Sequence, residues 1–238
     1  MKKYLLIIAS VLVLLLTAYL LLLNEPWKKE ETPPPPSVVA EEKPYVSPID
    51  FATLQSKNPD IYGWLDIPGT DISYPLLQSP DDDTFYLDHD EYRDYSVNGS
   101  LYTEHSYNTT AFTDAITLVY GHHCSNGRMF GNLQQYFSDP ETFDNADTIV
   151  VYLPDRELHF HVFAAVPYDN RHIMMTYEPI DPPMVNAFLH TIYDVRTIGA
   201  NFDDENSAVK DDQLLVLSTC LRGNRQNRYL VVAKLEET

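Results

Sequence analysis

The chain has 238 residues and a formal net charge of −19, with 35 acidic against 16 basic residues. That balance argues against a nucleic-acid partner, because phosphate binding needs a basic face and none is visible. Two cysteines, Cys124 and Cys220, make no disulfide framework, so the fold does not rest on cross-links.

Tyr4 to Leu23 carries no charge. About twenty helical residues at 1.5 Å each span a bilayer core of about 30 Å. The run is longer than the apolar core of a signal peptide, and no Ala-x-Ala follows it. Residues 1–23 are therefore expected to be an uncleaved transmembrane anchor, N-terminus inside and the domain outside the cell. A cleaved signal peptide is the alternative. Residues 24–48 read as a Pro/Glu-rich linker, with consecutive prolines at 33–36 that stiffen and extend it. The remainder, 49–238, is long enough for one domain with a proper core.

Asp50 to Lys57 suits a short helix capped by Asp50 or Ser47, with Phe51 and Leu54 inward and Asn58-Pro59 ending it. Ile61–Ile67 and Ile72–Leu77 flank Pro68-Gly69-Thr70-Asp71, a hairpin signal. Asp81 to Asp94 is acidic and aromatic and reads as a covering loop or short helix. Asn98-Gly99-Ser100 turns into Leu101-Tyr102, and Ala115–Tyr120 is a buried strand ending at Gly121-His122-His123-Cys124. Arg128 to Phe137 has apolar residues at helical spacing, and Asp147–Leu153 and Glu157–Val166 are strands around Pro154-Asp155-Arg156. Pro182 to Arg196 is an amphipathic helix with Val185, Phe188, Leu189 and Ile192 on one face. An acidic loop, Asp203 to Asp212, leads to Leu214–Cys220, a polar loop from Leu221 to Asn227, and Arg228–Leu235. Strands outnumber helices and no βαβ alternation occurs, so the fold class is a mainly antiparallel sheet or barrel with peripheral helices.

Three strand ends carry residues fit for chemistry: His122, Cys220 and Arg228. A cysteine attacks carbonyls as thiolate, and a nearby His or Arg favours that form. Histidine exchanges protons near neutral pH, and arginine is a permanent positive partner for a developing oxyanion. The set suits acyl transfer through a thioester. His123 is read as a neighbour and Cys124 as an ordinary loop thiol. Arg222 and Arg225 are rivals to Arg228, but they sit in the loop, where a side chain is held less firmly. His159 and His161 read as ordinary strand residues, and Asp81–Asp83 and Asp203–Glu205 as solvated faces without calcium-loop spacing.

Leu217-Ser218-Thr219-Cys220 with Arg228-Tyr229-Leu230-Val231-Val232-Ala233-Lys234 resembles the cysteine and arginine strands of the sortases. Thr117-Leu118-Val119-Tyr120-Gly121-His122-His123, followed by Met129-Phe130-Gly131-Asn132-Leu133, is similar to the histidine region of class B sortases. Ile61-Tyr62-Gly63-Trp64-Leu65, Asn98-Gly99-Ser100-Leu101-Tyr102 and the helix at 182–196 also fit that class. The resemblance covers about residues 49 to 236.

The resemblance implies an eight-stranded β-barrel with an N-terminal helix and a long helix near 182–196. It implies a cysteine transpeptidase of the Gram-positive cell envelope, without metal or cofactor. Such an enzyme cleaves a C-terminal sorting signal of Asn-Pro-x-Thr type after Thr, forms a thioacyl intermediate, and joins the protein to an amine of the cell wall. Cys220 then corresponds to the nucleophile, His122 to the residue that protonates the leaving amine, and Arg228 to the holder of substrate and oxyanion. Leu101, Tyr120, Ser218 and Thr219 fall where the peptide groove is lined. The acceptor is a peptidoglycan-precursor amine or, in a pilin-polymerising relative, a pilin lysine. Two departures stand out: Leu221 and Arg222 follow the cysteine where an acidic residue is common, and the loop to Arg228 is short. The alternatives from other classes are a zinc-binding module using His122, His123, Cys124 and Cys220, and a catalytically silent anchored scaffold.

Overall fold

A computed structural model describes residues 2–23, 45–145, 147–178 and 180–236. The chain divides into two units, Met1–Lys43 and Pro44–Thr238. In the first, α1 (Lys2–Leu23) is helical. The expectation of a single-pass anchor, N-terminus inside and domain outside, is overturned: among the described residues no helix is long and apolar enough to cross a membrane. Most of the expected linker, 24–44, lies outside the described residues.

The second unit starts with α2 (Phe51–Lys57), where Asp50 caps by accepting from the Thr53 amide at 3.0 Å. The hairpin follows as β1 (Ile61–Asp66) and β2 (Ser73–Leu77), antiparallel around the expected turn. A 3₁₀ turn covers Phe85–Leu87 in the acidic segment. Then come β3 (Leu101–Tyr102), β4 (Ile116–Tyr120), α3 (Leu133–Phe137), α4 (Pro140–Asn145), β5 (Thr148–Tyr152) and β6 (Glu157–Tyr168). The last elements are α5 (Ile173–Thr176), α6 (Pro182–Tyr193), β7 (Asn201–Phe202), β8 (Leu214–Leu221) and β9 (Asn224–Leu235).

The sheet runs β5-β1-β2-β3-β4-β8-β9-β6, and β5 pairs with β6, so eight strands close into a barrel. The short β7 adds to β6 outside the ring. Two pairs are parallel, β2 with β3 and β4 with β8, so the barrel is mixed rather than purely antiparallel. Closure removes the edges on which strands of other chains could add.

The continuous apolar runs of β8 and β9 arise because both faces are buried. Side chains alternate across a strand. Leu215, Leu217, Val231 and Ala233 join the barrel interior with Leu65, Leu76 and Val119. Leu214, Val216, Leu230 and Val232 face outward and are covered by Val185, Phe188, Leu189 and Ile192 of α6. Asp181 caps α6 through the Met184 amide at 3.0 Å, and Pro182 sits where a proline costs least. Burying each of the four apolar side chains of α6 contributes roughly 1.5–3 kcal/mol before entropy is subtracted.

Two further sequence expectations change. The helix expected over 128–137 is confined to α3, because Met129 has φ 54, outside the helical region. The apolar spacing still reports burial: Met129, Phe130, Leu133 and Phe137 are all in the core. The polar loop at 221–227 is mostly strand, since β8 and β9 continue to a tight turn at Arg222-Gly223.

Candidate active site

β4 and β8 run parallel with Tyr120 level with Ser218, and the Gly121 amide donates to the Ser218 carbonyl at 3.1 Å. His122 lies two residues beyond Tyr120, and Cys220 two beyond Ser218. Parallel strands in register thus deliver imidazole and thiol to the same end of the barrel. β9 returns antiparallel, and Arg228 is the direct cross-strand partner of Cys220. Its Nη1 lies 4.0 Å from the Cys220 Sγ and 3.4 Å from the carbonyl oxygens of Arg225 and Asn227. The guanidinium is therefore held by backbone as well as by the thiol.

A cleft of about 230 Å³ is lined by Leu87, Tyr102, Tyr120, Gly121, His122, Ser218, Thr219, Cys220 and Arg228. The three residues singled out as chemistry-bearing, together with Tyr120, Ser218 and Thr219, meet there. Leu101 does not line it. That side chain is fully buried in the barrel interior. It lies under Gly121, where an added Cβ would come within 2.5 Å of both Leu101 Cδ2 and Phe130 Cδ2. Gly121 is thus required for the backbone to cross the core on its way to His122. Arg222 and Arg225 are exposed, and Arg225 belongs to β9 rather than to a loop. Exposure, not loop mobility, separates them from the half-buried Arg228.

His122 Nε2 lies 2.7 Å from the Leu87 carbonyl oxygen. Since a carbonyl only accepts, the ring nitrogen donates. On the cleft wall, Tyr102 and Tyr120 stack with ring centroids 5.4 Å apart. Burial first, and then the Glu104 carboxylate, pushes both phenols far above their ordinary range, so they stay neutral. Tyr120 donates to Glu104 Oε2 at 3.1 Å, and His172 Nε2 pairs with Glu104 Oε1 at 3.0 Å. A smaller cavity of about 90 Å³ lies beside the cleft and shares Tyr120, Ser218 and Arg228 with it. The Thr219 hydroxyl is buried without a hydrogen-bond partner.

His123 and Cys124 do not line this cleft. His123 Nδ1 is buried without a partner, and burial, aided by Arg222 and Arg225, pulls its pKa down. Burial pushes the Cys124 thiol up, with Arg128 opposing. Among the described residues no group of three or more His, Cys, Asp or Glu is placed to hold a metal ion. The sequence reading did not find Leu87, Tyr102, Glu104 or His172. Leu87 acts through a backbone atom and leaves no side-chain signal. The other three come into play only through strand pairing and loop packing.

The family model described as "Sortase domain" matches residues 65–236. Sortase B of Listeria monocytogenes is 42% identical over 83 residues, 35% of this chain but only 33% of that protein's length. Sortase B of Staphylococcus aureus is 27% identical over 202 residues, covering 83% of this chain and 78% of that one. The crystal structure of sortase B from B. anthracis superposes with a TM-score of 0.69 at 23% identity, covering 83% of this chain and 90% of that one.

Proposed function

On the premise that this chain belongs to the sortase family, cysteine transpeptidases, and resembles its class B members, we propose that Cys220, His122 and Arg228 carry the reaction. The Cys220 thiolate attacks the carbonyl of the Thr in a sorting signal. A tetrahedral oxyanion forms beside the fixed guanidinium of Arg228, and the C–N bond breaks as His122 gives its proton to the leaving amine. The acyl group is then a thioester on Cys220. An incoming amine attacks it, neutral His122 takes the amine's proton, and the thiolate leaves. The observation that carries this reading is the 4.0 Å approach of Arg228 Nη1 to Cys220 Sγ in the cleft that also holds His122.

Tyr120, Ser218 and Thr219 line the groove for the signal, with Tyr102 stacked behind Tyr120. The substrate is a surface protein ending in an Asn-Pro-x-Thr-like signal, and the acceptor is an amine of the cell wall. The domain that does this spans residues 49–238.

The test is mass spectrometry of the full chain incubated with a small panel of signal peptides. A thioacyl adduct on Cys220, ending in Thr, is expected. Peptidoglycan-precursor peptides and a pilin-type lysine peptide are then offered as acceptors, and the ligated product identifies the amine. A Cys220→Ala chain that still cut the peptide after Thr would sink the proposal.

A further inference from the structure

We infer that the segment from Phe85 to Ser100 is a positioning clamp for His122, closed by Gly99, which fixes the ring nitrogen that exchanges protons. The inference rests on His122 acting in acyl transfer. Its origin is the 2.7 Å bond from His122 Nε2 to the Leu87 carbonyl. A carbonyl oxygen accepts a proton-bearing nitrogen and nothing else, so Nε2 keeps its hydrogen in the neutral ring as well as in the cation. Nδ1 is then the atom that gives and takes the proton. One bond serves both charge states, and the ring need not flip between the two half-reactions. In serine-protease triads a carboxylate holds the histidine in the same way. A neutral carbonyl orients without adding charge.

The oxygen is held from several sides. Leu87 closes the 3₁₀ turn, its amide bonded to the Thr84 carbonyl at 2.9 Å, so its own oxygen is left at the turn's end. The neighbouring Tyr86 carbonyl is taken by the Ser100 amide at 2.9 Å. Gly99, at φ +55, lies directly against both: an added Cβ would collide with the Leu87 oxygen and come within 2.7 Å of the Tyr86 oxygen. Only glycine permits that approach.

The other side of the turn is anchored in the core. Tyr86 is buried, and its hydroxyl donates to Asp60 Oδ2 at 2.6 Å and accepts from Asn58 Nδ2 at 2.9 Å. Arg93 pairs with the same Asp60 carboxylate and lies over the Phe85 ring, 4.7 Å from its centroid. The route from the start of β1 to the imidazole is thus continuous: Asp60, Tyr86, the Leu87 carbonyl, His122.

The first test needs no variant. Nitrogen-15 NMR of full-length protein labelled at histidine is expected to show neutral His122 as the Nε2–H tautomer, whereas the Nδ1–H form or an even mixture overturns the clamp. In the second, Gly99→Ala displaces the oxygen. We expect kcat to fall by about 10- to 100-fold with KM within about twofold, since a displacement near 1 Å costs that much. The tautomer signal should become mixed in a chain that stays folded by circular dichroism. A folded Gly99→Ala chain with wild-type kcat overturns the inference. If Gly99→Ala does not fold, Tyr86→Phe takes its place: a kcat loss of about 3- to 10-fold at unchanged KM is expected, and wild-type kcat overturns the inference. His122→Ala separates this from the proposed function: full activity there removes the catalytic reading and with it the clamp's role in proton exchange, while the tautomer of the wild-type ring still tells whether the bond to Leu87 forms.

Discussion

The region around Cys220 and the region around Cys124 hold the same functional group at the same half-burial, and both thiols are free. Their settings differ. Cys220 ends a strand, has Arg228 as its cross-strand partner at 4.0 Å, and opens on a cleft shared with His122. Cys124 sits in the loop after β4, packs against the barrel interior, and has its thiol pushed up by burial. The difference teaches that exposure does not make a nucleophile. A fixed cation, a proton carrier and open space in one place do, and here strand register supplies all three.

The largest effect expected from breaking this contrast is at the nucleophile. Cys220→Ala should cut peptide turnover by about 10³-fold or more, and Cys124→Ala should leave it within about twofold, read as kcat/KM. Arg228→Lys keeps the charge but loses the planar fork. A fall of about 10- to 100-fold in kcat is expected, since a flexible ammonium cannot hold the same donors on an oxyanion. Alkylation with iodoacetamide followed by peptide mapping sharpens the comparison without a variant: Cys220 should react at least about tenfold faster than Cys124. Equal rates would erase the distinction drawn between the two settings.

The smallest effect concerns His123, which lies between the two regions. Its pKa is lowered from 6.5 by burial, then by Arg222 and Arg225. In the unfolded chain this ring binds a proton more readily, so its contribution to stability is present above pH 6.5 and is lost as pH falls towards the lowered native value. His123→Gln should therefore flatten the decline in denaturation midpoint on acidification below that pH, with little change above it. A decline of unchanged slope would remove His123 from the account.

Much of this contrast was legible in the chain. The runs at 115–120, 214–220 and 228–235 announced buried strands, and a histidine, cysteine and arginine stood at their ends. The parallel register that brings Tyr120 level with Ser218 was not legible, because β4 and β8 are joined across nearly a hundred residues. The 128–137 segment misled because its apolar spacing satisfies a helix, while the left-handed Met129 satisfies the same burial without one. The 221–227 segment reads as loop on composition, yet one more cross-strand pair, Leu221 with Asn224, forms beyond a register shift after Cys220 and carries both strands to the turn. The expected span at the N-terminus rested on hydropathy and length alone, and the described helix does not sustain it. Leu87 could not be found from sequence at all, since its contribution is an oxygen that every residue possesses.

The turn at Arg222-Gly223 has a practical consequence for anyone wishing to watch this protein work. The spacing of thiol and guanidinium is set by strand pairing before the chain reaches the turn, and nothing lies within 4 Å of where a Cβ would stand on Gly223. Doubling a loop adds only about 0.6 kcal/mol of closure cost. A dye-bearing peptide spliced in at Gly223 would therefore ride beside the cleft as a reporter of substrate arrival, with the reacting pair left as nature spaced it.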